Sequence, residues 1–322
     1  MSALTCERCG APLPITPETI VSICEYCGYP RIIASTARLE EMYLIRSLSR
    51  DQIIHKFWDQ VEKDFDLRRF RKRMQIVDVE GFYIPVWVGS VAVEGVCEYL
   101  EIEDKRVVRR SEPIAYETPI GFCARRAVAA FAVTDVIYHF MKTFDEKLFV
   151  RLIDLSPEEW ERTKLKVLNT EIDVSEAKDR MLEDAIDLAR HKHGTKTVVF
   201  FDARSMFMQE PRLYFLPLWI IYYRVGSGVY RMALAGWDGC RVAASEPVLL
   251  LRRAVYVAGV SGAIVAASFL GSFLHLQVAI LGALLFILFS LAYILGRATV
   301  GGTRIEHLYR KEVPTARGTV AW

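Results

Sequence analysis

The stretch FYIPVWV, residues 82–88, recurs as YFLPLWI at residues 214–220. In each copy an aromatic residue stands two positions before a proline and a tryptophan two positions after it. Further along, Ser111-Glu112-Pro113 is matched by Ser245-Glu246-Pro247. Between these landmarks apolar and polar residues alternate, the period of a strand with one buried face. GSG at 226–228 and GWDG at 236–239 supply turn signals in the second copy. The reading is two related antiparallel β units. Proline lacks the N–H that a ladder needs, so the first strand of each unit is expected at an edge or a bulge. Trp87 and Trp219 are expected as core anchors.

Between the units the pattern turns helical. Ser156-Pro157-Glu158-Glu159 combines a cap, a first-turn proline and a glutamate that can reach back. Asp173 with Glu176 opens a second helix, whose apolar stripe is Val174, Ala177, Met181, Ala185 and Leu188. These helices, spanning 157–193, are expected as an insertion. Upstream, Ser49 with Gln52 resembles a capping box. It begins a helix at about 50–65 with Ile53, Ile54, Phe57, Trp58, Val61 and Phe65 on one face.

The N-terminus carries different chemistry. Residues 5–30, TCERCGAPLPITPETIVSICEYCGYP, hold two Cys-x-x-Cys-Gly pairs. Thiolates suit Zn²⁺ in tetrahedral coordination, and Cys6, Cys9, Cys24 and Cys27 supply four. Gly10 and Gly28 permit the positive φ of a metal-binding knuckle. A closed Cys₄ site leaves no open position, so the zinc is expected to be structural. No signal peptide precedes the first pair, which argues against disulfides. Cys97, Cys123 and Cys240 are scattered in apolar surroundings and read as buried thiols.

The 322 residues have a formal net charge of +2, too balanced for a strongly basic nucleic-acid protein. Hydrophobic residues reach 52%, and one region concentrates them. From Ala254 to Gly296 there is no Asp, Glu, Lys or Arg. A single helix there would be about 65 Å long, twice a hydrocarbon core of roughly 30 Å. Two spans at about 254–272 and 278–296 are therefore expected, turning at GSFLHLQ. Arginines on both flanks place both ends in the cytoplasm. Gly259, Ala263, Ala267 and Gly271 form a small-residue ridge that suits helix packing within the hairpin or with a second subunit.

The expected organisation is α+β. It comprises a zinc ribbon (1–33), a linker with an amphipathic helix and basic cluster (34–80) and a domain with two β repeats (81–250). A transmembrane α-hairpin (251–297) and a tail (298–322) complete it.

CERCG, CEYCG, FYIPVWV, YFLPLWI and GWDGCRVAASEP together resemble a prokaryotic family across nearly the whole chain. Its members carry an N-terminal zinc ribbon of the transcription-factor-IIB type, aromatic-x-Pro-x-Trp repeats and C-terminal membrane helices. Their usual label is a distant likeness to a replication-restart helicase, whose motifs they lack. The resemblance implies zinc ligands at Cys6, Cys9, Cys24 and Cys27 and no catalytic residues. Some members resemble partners in membrane-stress assemblies that recruit a cytosolic protein.

No Walker A, G-x-G-x-x-G or G-x-S-x-G sequence is present. Cys123 and His139 are the only nucleophile and base worth pairing, and a core role suits them better. The unusual charged element is Arg68, Arg69, Arg71, Lys72 and Arg73. It reads as a solvated helix end, a contact for anionic headgroups, or a contact for nucleic-acid phosphate. The functional expectation is a non-enzymatic, membrane-anchored zinc-ribbon adaptor that brings a cytosolic protein to the membrane lipid. The alternative is a membrane tether for the ribosome or another RNA complex.

Overall fold

The computed structural model describes residues 4–247 apart from 14, 17, 34–37, 104–105, 127–130, 144 and 194–196. It also describes 303–308, 320–321 and short helical pieces between 257 and 293.

In chain order the first elements are β1 (Val21–Ile23), β2 (Pro30–Ile32), β3 (Met42–Ile45) and α1 (Arg50–Lys63). The long strands β4 (Met74–Glu103) and β5 (Arg106–Cys123) follow. Then come α2 (Val133–Lys142), β6 (Phe149–Arg151), α3 (Pro157–Thr163), β7 (Lys166–Val167) and α4 (Val174–Lys192). The chain ends with β8 (Thr197–Val225), β9 (Gly228–Ala235), β10 (Arg241–Pro247), β11 (Thr303–His307) and β12 (Val320–Ala321). Both expected capping boxes form, Ser49 with Gln52 on α1 and Ser156 with Glu159 on α3.

Strands hold 47% of the chain, so the fold is dominated by β-structure rather than the expected α+β mixture. Among the described residues the main sheet runs β11-β10-β9-β8-β4-β5-β12, with β3, β6 and β7 joined to its flanks.

The two repeats do not build separate units. They pair with each other at the centre of this one sheet: Tyr83 lies opposite Pro217, Ile84 opposite Leu216, and Pro85 opposite Phe215. This is the register of a local two-fold axis through the Ile84–Leu216 pair. Two sequence-related strands, each too apolar for solvent on either face, bury one another.

The prolines therefore sit in the two central strands and not at an edge. The reason is local. β4 exchanges one neighbour for another at Pro85, from β7 at Phe82 and Tyr83 to β5 from Val86 onward. β8 does the same at Pro217, from β3 through Phe215 to β9 from Leu218. The Pro85 and Pro217 carbonyls accept outward bonds from the N–H groups of Ala124 and Gly236, each at 2.8 Å. A strand residue directs N–H and C=O to the same side. The missing donor thus faces the neighbour exchange, and the central ladder loses nothing. The Ser-Glu-Pro landmarks are not equivalent in space, because β5 touches β4 directly whereas β9 separates β10 from β8.

One sheet face carries Tyr83, Trp87, Leu213 and Phe215, covered by Ala177, Met181, Ala185 and Ala189 of α4 and by Trp160 of α3. Next to it, Trp219, Ile221 and Tyr223 pack against Ile53, Phe57 and Val61 of α1. The opposite face buries Ile84, Val86, Leu216 and Leu218 beneath Val133, Val136, Ile137 and Phe140 of α2.

The expected spans at 254–272 and 278–296 lie mostly outside the described residues. Among the described residues no helix is long and apolar enough to cross a membrane, so the two-span hairpin, and the membrane localisation built on it, are not found. A span needs about twenty apolar residues in one helix, and no helix among the described residues meets both conditions. The chain leaves the sheet at Pro247 and re-enters as β11 at Thr303, directly opposite.

Candidate metal centre

The ribbon is built from two knuckles and a hairpin. In the first knuckle the Gly10 N–H bonds to the Cys6 carbonyl at 2.9 Å, and in the second the Gly28 N–H bonds to the Cys24 carbonyl at 2.9 Å. Both glycines have positive φ, +74° and +69°, which closes each turn and aims its backbone N–H groups at the sulfurs. β1 and β2 pair antiparallel and carry the second knuckle between them.

All four sulfurs lie within 4.8 Å of one another. Cys6 Sγ and Cys27 Sγ are 3.6 Å apart, as are Cys9 Sγ and Cys24 Sγ. Tetrahedral zinc with Zn–S bonds of about 2.3 Å requires sulfurs about 3.8 Å apart. The donor set therefore fits the metal: two of its sulfur pairs are already near that spacing, and the others lie within 4.8 Å.

The electrostatics point the same way. Burial raises the Cys6 thiol, but the N–H groups of Cys9 and Arg8 and the adjacent thiols outweigh it, leaving a pKa of about 7. Burial, reinforced by the other three thiols, pushes Cys27 up to about 12. Burial also raises Cys24. One thiolate forms readily and further ones repel it. A divalent cation at the centre removes that repulsion, which is the chemistry of a structural Cys₄ site.

The ribbon is not a free head. Gly28 lies against the indole of Trp160, and a Cβ there would stand 2.7–2.9 Å from its ring atoms. Trp160 Nε1 donates to the Glu25 carbonyl at 3.1 Å, and Arg8 donates to the Leu155 carbonyl at 3.1 Å. The Ile20 N–H bonds to the Thr170 carbonyl at 2.8 Å. Val21 and Ile23 belong to the main core. Cys9 and the residues around it stay exposed, as does the ring of Tyr26, 63% of which faces solvent. Trp160, Leu155 and Thr170 are the functional residues that sequence reading missed. The nearest of them, Leu155, lies 128 residues beyond Cys27 (155 − 27), and no local spacing announces them.

The five basic residues fall on a seven-residue 3₁₀ segment, Leu67–Arg73, after α1. Leu67 is buried beneath it, while Arg68, Arg69, Arg71, Lys72 and Arg73 are exposed. Arg71 bonds to Glu62 at 2.9 Å and lies over the Trp58 ring, and Arg69 lies over Phe65. Arg68, Lys72 and Arg73 have no ion pair among the described residues.

Cys123 and His139 do not act together. Burial holds the Cys123 thiol up at about 12, and His139 Nε2 bonds instead to Asp238 Oδ2 at 2.7 Å. Cys240 lies close to both. That 2.7 Å is a direct hydrogen bond, shorter than the roughly 3.3 Å between nitrogen and oxygen ligands of one tetrahedral zinc. Burial, followed by the Asp238 charge, raises the Cys240 thiol. Asp64, Glu246 and Glu306 also converge, but on the Arg241 guanidinium, at 3.2, 2.6 and 3.1 Å.

No protein-family model, curated protein or solved structure matches this chain. The family resemblance accordingly rests on the quoted motifs alone.

Proposed function

We propose that this protein is a non-enzymatic adaptor in which a structural zinc braces a ribbon against a β scaffold and a protein partner binds the ribbon's outer surface. The observation that carries this reading is the division of the ribbon into two sides. Its inner side is seated on Trp160, Leu155 and Thr170. Its outer side presents Tyr26, a solvent-exposed aromatic ring. Exposed tyrosines of this kind are common anchors of protein interfaces. The family resemblance supports the same role, since its members imply zinc ligation without catalytic residues.

A second reading is RNA contact through Arg68, Arg69, Lys72 and Arg73. It is favoured by the exposure of that cluster and by Arg68, Lys72 and Arg73, which have no ion pair among the described residues. Phosphate binding through such residues falls steeply with salt.

Capture of partners on the full-length chain, with and without nuclease, separates the two. The adaptor predicts a nuclease-resistant protein lost on Tyr26→Ala and retained on Arg68→Glu with Lys72→Glu. The RNA reading predicts nuclease-sensitive, salt-sensitive capture with the reverse pattern. Capture indifferent to both sets of changes would refute both.

A further inference from the structure

β5, β4 and β8 continue as a three-stranded arm with one face on the core, and among the described residues its outer strands are its two edges. The two edges differ. β5 carries Pro113 and Pro119 among Arg106, Arg109, Arg110 and Glu112, and proline and charge both discourage strand addition. Residues 200–207 of β8, FFDARSMF, contain no proline or lysine and only two charges, of opposite sign. Their inner side pairs regularly with β4, from Val91 opposite Phe207 to Glu98 opposite Phe200, with no bulge. Among the described residues nothing pairs with their outer side; β3 and β9 join β8 only from Leu213 onward.

Alternate residues of this edge have distinct environments. Phe201, Ala203 and Phe207 pack on the core beneath α4. Phe200, Asp202, Arg204 and Met206 face solvent, with Phe200 and Met206 each 48% exposed. Neither Asp202 nor Arg204 has an ion pair among the described residues.

The order of these side chains is self-complementary. If a second copy lies antiparallel with Ala203 opposite Ala203, each Asp202 falls opposite an Arg204 and each Phe200 opposite a Met206. Every pair occurs twice, as a two-fold interface requires. Opposite charges and aromatic–aliphatic pairs directly across a ladder are both favourable. A shift of one residue would turn the exposed side chains of one copy to the opposite face from the other's, and a shift of two would set Asp202 against Asp202 or Arg204 against Arg204, so the register is set.

We propose that the unguarded edge of β8 binds a second copy of this chain, joining two sheets into one about a two-fold axis at Ala203. This contact is independent of the zinc ribbon and its partner.

Sedimentation and light scattering of the full-length chain test it. The wild type is expected to be a dimer at micromolar concentration. Asp202→Arg and Arg204→Asp each replace two attractive pairs with two repulsive ones and should weaken the dimer about tenfold or more. Mixed together, these two variants restore both attractive pairs and should form a heterodimer as tight as the wild-type dimer. That rescue cannot come from a misfolded chain. A wild type that stays monomeric, a dimer that survives both single changes, or two weakened variants that fail to associate when mixed would overturn the proposal.

Discussion

Gly10 and Gly28 occupy the same place in the two Cys-x-x-Cys-Gly knuckles, and the sequence treats them alike. Their surroundings differ. A Cβ on Gly10 would meet nothing within 4 Å, whereas one on Gly28 would strike the Trp160 indole. Gly10→Ala should therefore cost about 1–2 kcal/mol, the penalty of an L-residue at positive φ. Gly28→Ala adds overpacking of roughly 1–3 kcal/mol to that and should lower both thermal stability and zinc affinity further. Thermal melts and competitive zinc titration of the two variants check the order; equal losses would show that the ribbon does not rest on Trp160. The four-cysteine cluster was legible because two residues of spacing and a following glycine are local chemistry. The indole beneath them was not, because Trp160 approaches from a helix that only the tertiary fold brings near.

At the level of elements, the aromatic-x-Pro-x-Trp repeat was legible as strand, but its destination was misjudged. Proline usually marks an edge, and nothing local reveals that each of these strands changes its outer neighbour at the proline. Pairing across 132 residues between the two copies is likewise a non-local outcome. The matched tryptophans show how far the repeat carries. Trp87 Nε1 donates to the buried Ile172 carbonyl at 2.9 Å, and Trp219 Nε1 donates to the Ser47 hydroxyl at 2.9 Å. Replacing Trp87 by Phe strands a buried acceptor, at about 1–3 kcal/mol. Ser47 is only half-buried and can turn its hydroxyl to water, so Trp219→Phe should cost less. Denaturant unfolding of the two variants gives the comparison. A larger loss for Trp219→Phe would mean that the two copies are anchored differently from this hydrogen-bond pattern. Composition reports how apolar the uncharged run is, and the two spans inferred from it at 254–272 and 278–296 lie mostly outside the described residues.

For the whole molecule, the decisive feature is that the ribbon shares the core of the sheet. Val21 and Ile23 pack with Trp87, Phe215 and the α4 alanines, and Thr170 bridges β1 to the chain just before α4. A small zinc module on a flexible tether would melt by itself and leave the scaffold untouched. Here, a metal held by the four cysteines would couple its binding to the folding of everything the ribbon touches. Chelation of zinc, or Cys6→Ser with Cys9→Ser, should therefore shift the main thermal transition downward instead of removing a separate early one. A loss of a few kcal/mol in a chain this size corresponds to a Tm drop on the order of 5–10 °C. The same coupling complicates any use of the cysteine variants to locate a partner, because they perturb scaffold and contact surface together; Tyr26→Ala does not. Calorimetry of the metal-loaded and chelated protein decides the matter. A main transition that keeps its temperature after complete zinc removal would show that the scaffold stands without its brace.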